Sequence, residues 1–140
     1  LGEEDYLPFT GQYSIEFTLT TQPISLGDFA FAPKILGVED LYDFEDQFEG
    51  GDFENDFIEP YHELLSASGH RLGGYPFFTQ TDPRQYNANI QDYILLFQLD
   101  SEDAENEIMW GDSGVGNFFI HPEDLKKRDF SKVLYNWDCY

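Results

Sequence analysis

Basic residues and cysteine are scarce in this sequence, which contains 7 Lys and Arg and a single cysteine, Cys139. One cysteine excludes an internal disulfide framework. No apolar run approaches the ~18 residues that a transmembrane helix needs, and no signal-like stretch is present. Binding to nucleic acid or to an anionic membrane surface requires Lys and Arg, so both are disfavoured. These absences predict a cytoplasmic protein.

Acidic residues are abundant and unevenly placed. The chain has 28 Asp and Glu and a net charge of -21, and the stretch from Glu39 to Glu63 holds 11 of these acids and no base. Such a field attracts a basic protein or a cation, although a high net charge can also serve solubility alone. For a basic protein partner, we expect the binding residues to be Asp43, Glu45, Asp52 and Asp56.

Hydrophobic spacing predicts a mainly β, α+β fold. A chain of 140 residues is one domain. Apolar residues alternate from Tyr13 to Thr20, which predicts a half-buried strand. Shorter strands are predicted over residues 29–31, 93–99, 108–110, 115–120 and 132–137, and helices over residues 38–49, 59–68 and 122–127. We therefore expect an antiparallel, roll-like sheet with two or three short helices.

Several segments of the second half have a characteristic order and spacing. They are Leu72-Gly-Gly-Tyr-Pro-Phe-Phe-Thr-Gln80, Asp82-Pro-Arg84, Tyr93-Ile-Leu-Leu-Phe-Gln-Leu-Asp-Ser101, Ile108-Met-Trp-Gly-Asp-Ser-Gly-Val-Gly-Asn-Phe-Phe-Ile120 and Asp129-Phe-Ser-Lys-Val-Leu-Tyr-Asn-Trp-Asp-Cys139. Together they resemble the C-terminal half of the YwqG-like proteins, a bacterial family of unknown function. The match is strong over residues 70–139 and looser over residues 7–68.

The resemblance implies a mainly β, roll-like fold and no established enzymatic activity. Members of the family are typically longer, with a preceding half that has its own Gly-Gly-x-Pro turn. The resemblance therefore implies that this chain is either the C-terminal half of a longer architecture or a short member of the family. Some relatives are similar to parts of bacterial contact-dependent toxin and immunity systems.

Asp82, Arg84 and Asp112 are the candidates for a polar pocket. Asp82-Pro83-Arg84 has the composition of an exposed polar loop that binds a peptide or a nucleotide. A simpler interpretation is that Asp82 caps the turn that Pro83 makes and that Arg84 pairs with a carboxylate. Asp112 lies in Trp110-Gly111-Asp112-Ser113-Gly114, which only superficially resembles a nucleophile elbow. That motif needs Gly-x-Ser-x-Gly between a strand and a helix, whereas here a strand follows Ser113.

No residue pattern predicts a metal or a cofactor. His62, His70 and His121 lack the spacing of zinc ligands, and we expect His121 to lie at a helix N-terminus. The acids at positions 100, 102, 103, 105 and 107 lack the ordered pattern of a calcium loop, which favours a solvated hairpin loop. We expect Cys139 to be an inert thiol.

These patterns favour a non-enzymatic binding domain with a basic protein partner, in its sharpest form an immunity-type inhibitor of a basic toxin. The alternative is a hydrolase or metal-dependent enzyme whose site is formed with a missing N-terminal half. For the fold, we expect Gly74, Gly111 and Gly114 to adopt backbone conformations that other residues resist. We also expect one buried cluster made of Trp110, Phe118, Phe119, Leu96 and Trp137.

Overall fold

Four antiparallel strands form one sheet in the computed structural model, which describes residues 7–102 and 108–140. The strands are β1 (Arg71–Leu72), β2 (Ile94–Asp100), β3 (Val115–Ile120) and β4 (Leu134–Asp138), and neighbours in sequence are neighbours in the sheet. The predicted fold class, a mainly β arrangement with an antiparallel sheet and few short helices, is confirmed.

Three short α-helices accompany the sheet: α1 (Leu41–Glu45), α2 (Glu59–Leu64) and α3 (Pro122–Lys127). The bounds of α3 match the prediction, and His121 is its N-cap, where Nδ1 accepts a hydrogen bond from the Glu123 amide. The other two helices are shorter than predicted. A π-helical turn at Glu54–Ile58 runs directly into α2, and a second one spans Ala32–Leu36.

Three predicted strands are absent among the described residues. Residues 13–20 belong to no helix or strand. Residues 29–31 form turns that lead into the Ala32–Leu36 π-helical turn, and residues 108–110 contribute only an isolated bridge between Ile108 and Glu102. Alternation describes how a segment would sit in a sheet. It does not supply the neighbouring strand whose hydrogen bonds make the segment a strand.

A β-bulge between Leu95 and Phe97 assigns the apolar residues of the sheet to two faces. On the inner face, Leu95 lies opposite Phe119 and packs with Phe78 in the buried core. On the outer face, one row crosses all four strands and has half-exposed ends; it consists of Leu72, Phe97, Phe118 and Tyr135.

The predicted single cluster of large side chains is therefore wrong. Phe119 is fully buried on the inner face, whereas Trp110 packs over Gly116 and against Tyr135, which belong to the outer face. Trp137 is 48% exposed. Successive residues of a strand point to opposite faces, so Phe118 and Phe119 cannot share one cluster.

Polar side chains on the inner face hold the segment from Phe77 to Gln80 across the sheet. Oε1 of Gln98 accepts a hydrogen bond from the Phe77 amide at 2.7 Å, and Nδ2 of Asn117 donates to the Phe77 carbonyl at 2.8 Å. The two carboxylate oxygens of Asp138 accept from the Thr79 and Gln80 amides at 3.3 and 3.2 Å. Strands β2, β3 and β4 thus each contribute one side chain that satisfies the crossing backbone.

The glycine expectation holds at two of its three positions. Gly74 and Gly111 have φ values of 77° and 58°, the left-handed region that favours glycine. Gly114 is not in that region; Ser113 has the positive φ, 54°, in the same turn. Gly114 is required for a different reason, because an added Cβ would lie 2.7 Å from the carbonyl oxygen of Trp110.

The two faces predict different costs of truncation for two aromatic residues. Phe119→Ala should lower the free energy of unfolding by about 3–5 kcal/mol, because it empties a fully buried position. Trp137→Ala should cost only about 1–2 kcal/mol, because half of that side chain already contacts solvent. Urea unfolding of both variants measures the difference, and equal losses would contradict the assignment of Trp137 to an open face.

Candidate functional site

Four phenylalanine rings form the scaffold of the acidic segment, which we define as residues 39–63. Phe44 and Phe57 lie 5.5 Å apart between ring centroids, and Phe53 and Phe57 stack at 5.4 Å. Phe48 contacts Phe53 at 5.5 Å. Phe44 and Phe48 come from α1 and the turn after it, and Phe53 and Phe57 come from the π-helical turn that precedes α2. The acidic segment is therefore packed around its own small aromatic cluster.

Tyr61 of α2 links this aromatic cluster to the main core. Its ring lies 6.3 Å from Phe57 and meets Phe31 edge-on at 5.1 Å, and Phe31 is 1% exposed. The Tyr61 hydroxyl donates a hydrogen bond to the Ile24 carbonyl at 2.8 Å. Burial raises the pKa of this hydroxyl, which keeps it protonated as the donor.

The carboxylates of the acidic segment face solvent. Ten of the 11 acids are exposed, and Asp40 is half-buried. Among the described residues, none of them forms an ion pair with Lys, Arg or His. The segment thus presents negative charge that its surroundings leave uncompensated.

Three of the four predicted binding acids also hold the backbone. Asp43 accepts a hydrogen bond from the Asp40 amide in a capping box at the start of α1. Asp56 accepts from the Asp52 amide at 2.9 Å, and Asp52 accepts from the Asn55 amide at 3.0 Å, a bond that lowers the pKa of Asp52. Of the four, only the Glu45 side chain makes no hydrogen bond in the described part of the chain; its backbone carbonyl accepts from the Phe48 amide at 3.1 Å. These caps were not predicted from the sequence, although the spacing of three residues between Asp40 and Asp43 is a visible signal of a capping box.

An open cleft of about 670 Å³ lies beside α2. The Phe77–Gln80 segment forms one side, and Gln80 is fixed there because its Nε2 donates to the Cys139 carbonyl at 2.7 Å. The wall from α2 and the residues after it carries the polar residues Glu59, His62, Glu63, Ser66 and Ser68 beside Tyr61, Leu65 and Ala67. The acidic surface therefore continues into a concave region with hydrogen-bonding groups on both sides.

Asp82 and Arg84 lie together in the core, in an ion-pair network with Asp28. Nη2 of Arg84 is 2.6 Å from Oδ2 of Asp82 and 2.8 Å from Oδ2 of Asp28, and all three residues are at most 5% exposed. Nη1 of Arg84 donates to the Tyr93 carbonyl at 3.0 Å. The guanidinium also lies over the rings of Phe29 and Phe119, at 4.9 and 4.8 Å from their centroids.

Electrostatics keep Arg84 charged despite its burial. Burial alone lowers the pKa of the guanidinium, but the hydrogen bonds and charges of Asp82 and Asp28 outweigh this effect and raise the pKa. The Asp82 carboxylate is equally engaged, since Oδ1 accepts from the Arg84 amide and Oδ2 from the Phe29 amide. Every group of this network faces another group of the protein, as expected of a structural role.

Asp112 does not join Asp82 and Arg84. It is exposed in the turn from Gly111 to Gly114, where its carbonyl accepts a hydrogen bond from the Tyr140 amide at 3.3 Å. β3 follows this turn directly, which is the strand-after-serine arrangement expected from the sequence. That one pocket is formed by the three residues remains a prediction that no contact among the described residues supports.

The three histidines have different environments. Nε2 of His70 lies 3.2 Å from Glu102, His62 is exposed on α2, and His121 caps α3. Across residues 7–102 and 108–140, no three His, Cys, Asp or Glu side chains are grouped as a metal site would require. Residues 103–107 of the predicted hairpin loop lie outside the described residues. Cys139 is a half-buried free thiol.

Comparison with known families assigns the chain to one of them. It belongs to the DUF1963 family, a domain of unknown function, whose model matches residues 2–139. No curated protein matches the chain. In the described part of the chain, no helix is both long and apolar enough to cross a membrane.

The buried network predicts a large loss of stability when Arg84 is replaced. Arg84→Met should lower the free energy of unfolding by about 3–5 kcal/mol, because it leaves Asp82 and Asp28 buried without a cation. Lys126→Met is the matched control; it removes an exposed pair with Glu123 and should cost less than about 1 kcal/mol. Thermal unfolding compares the two, and an Arg84→Met variant as stable as the control would show that the network is dispensable.

Proposed function

We propose that this member of the DUF1963 family is a non-enzymatic binding domain that docks a basic protein on its acidic segment. In its sharpest form it is an immunity-type inhibitor that neutralises a basic toxin by covering the toxin's cationic surface, as the likeness to YwqG-like proteins suggested. The observation that carries the proposal is the exposed, unpaired charge of residues 39–63.

The scaffold beneath the charge supports this proposal. A solubility device needs no fixed geometry, but these carboxylates stand on a packed aromatic cluster that Tyr61 joins to the core. Charges held in place lose less entropy when a partner arrives than charges on a free chain. A fixed acidic surface also steers a basic partner toward one orientation and raises its association rate.

The adjoining cleft extends the surface that a partner would cover. Glu59 and Glu63 lie four residues apart along α2, and both line the cleft. Hydroxyl and amide groups from Ser66, Ser68 and Gln80 line it as well. A lysine or arginine side chain of the partner would find there both carboxylate acceptors and neutral hydrogen-bond acceptors. The enzymatic alternative, with a site completed by residues beyond this chain, stays a prediction.

Charge reversal tests the proposal when it avoids the capping acids. Glu45→Lys with Glu49→Lys should weaken capture of the partner by about tenfold or more at low salt, because it inverts charge within the acidic segment. Asp92→Lys with Asp112→Lys is the matched control, since both acids are exposed elsewhere and the net charge changes equally. Affinity is measured first with a lysine-rich peptide, then with the protein that co-purifies from the native cell.

The salt dependence of partner capture is the second test of the proposal. Raising the ionic strength to about 1 M, where the Debye length is ~3 Å, should abolish capture by the wild-type chain. Equal capture by the two double variants would mean that the acidic segment serves solubility only, and the proposal would then lose its physical basis.

A further inference from the structure

Residues 14–20 form a segment outside every helix and strand, and its apolar side chains are exposed. Ile15 and Phe17 are each 66% exposed, and Leu19 is fully exposed. Polar residues alternate with them along the chain: Ser14, Glu16, Thr18 and Thr20. The backbone of residues 14–20 makes no hydrogen bond with any other described residue. The segment therefore has the alternating composition of a β-strand and backbone groups that are free to pair with a neighbouring strand.

We propose that residues 14–20 pair with the same residues of a second copy of the chain, as an antiparallel two-stranded ribbon across a two-fold axis. An unpaired row of backbone groups with an apolar side is a template for strand addition. An antiparallel strand can pair with itself about a two-fold axis, so the contact closes after two copies.

The charge distribution argues for a second copy at this place. The chain carries a net charge of -21, yet residues 6–27 contain a single charged residue, Glu16. A contact through the acidic segment would bring the 11 carboxylates of each copy together, and like charges repel. Along residues 14–20 two copies meet with one acid each.

The position of Glu16 selects the register. A ribbon centred on Phe17 places Ile15 opposite Leu19 of the second copy and Glu16 opposite Thr18, with all apolar side chains on one face. A ribbon centred on Glu16 also keeps one apolar face, but it sets the two Glu16 carboxylates directly opposite each other, which is destabilising. A ribbon centred on Thr18 sets Ile15 opposite Thr21 and so loses an apolar pair. We therefore assign the centre to Phe17.

A groove next to the segment receives the second copy. It has a volume of about 440 Å³ and lies between Phe9 and Ile15 on one side and Phe97 and Leu99 of the outer sheet face on the other. Leu19 of the second copy, opposite Ile15, lies at this groove. The pairing thus buries apolar side chains that the single chain leaves in water.

Sedimentation equilibrium of the full chain tests the proposal. The expected mass is twice the 16.3 kDa of one chain. The dimer fraction should rise as ionic strength increases from about 0.01 M to about 1 M, because screening weakens the repulsion between two acidic copies. This dependence is opposite in sign to that of a basic partner on the acidic segment, so either proposal can fail without the other.

Two variants locate the contact. Leu19→Asp should raise the dimer dissociation constant by about a hundredfold, because each dimer contains two altered positions. In a Cys139→Ser background, Phe17→Cys should form a disulfide-linked dimer under mild oxidation, since residue 17 meets itself across the axis. Ile35→Cys in the same background is the control, because Ile35 is 55% exposed on the Ala32–Leu36 π-helical turn; it should form no disulfide-linked dimer.

The opposing results are equally specific. A monomeric mass at every salt concentration would overturn the proposal, as would a dimer that Leu19→Asp leaves unchanged. Because Leu19 and Phe17 are exposed in the single chain, their substitution should leave the melting temperature of the monomer unchanged, and loss of dimer cannot then be ascribed to unfolding.

Discussion

The buried ion pair of Arg84 is the constraint on which the rest of the structure depends. One guanidinium joins segments that are far apart in sequence: Asp28 and Asp82 hold its charge, Tyr93 accepts from it, and Phe119 of β3 lies against its face. Removing Arg84 would leave two carboxylates in the core without a cation. The loop around Asp28 is thereby fixed against the sheet, and Phe31 follows three residues later in the core.

That fixed loop carries the surface to which we assign the function. Phe31 contacts Tyr61, Tyr61 contacts Phe57, and the four-ring cluster beyond it supports the exposed carboxylates. A continuous series of packed rings thus connects a buried charge network to an exposed charged surface. The acidic segment is consequently a structured element with a defined face, and its charge can act with geometric as well as electrostatic selectivity.

The sequence predicts those features whose causes are local. Val115–Ile120 and Pro122–Lys127 have the predicted bounds, because the Phe-Phe-Ile run that follows a turn and the Pro at the helix start are both visible in the sequence. The pairing of Arg84 with a carboxylate was also foreseeable, but Asp28, 56 residues away, was not. The strand predicted over residues 13–20 is absent because a partner strand is a tertiary property. The bulge in β2, which places Leu95 and Phe97 on opposite faces of the sheet, has no sequence signal of its own.

The proposed docking surface requires an acidic segment that is as ordered as the sheet. Backbone amide relaxation measured by NMR on the free chain tests this directly. We expect order parameters of ~0.85 for α1 and α2, the value typical of rigid backbone. The values for β3 should be similar. Values below ~0.6 across residues 41–64, with β3 still rigid, would show that the acidic segment is mobile and would contradict an ordered docking surface.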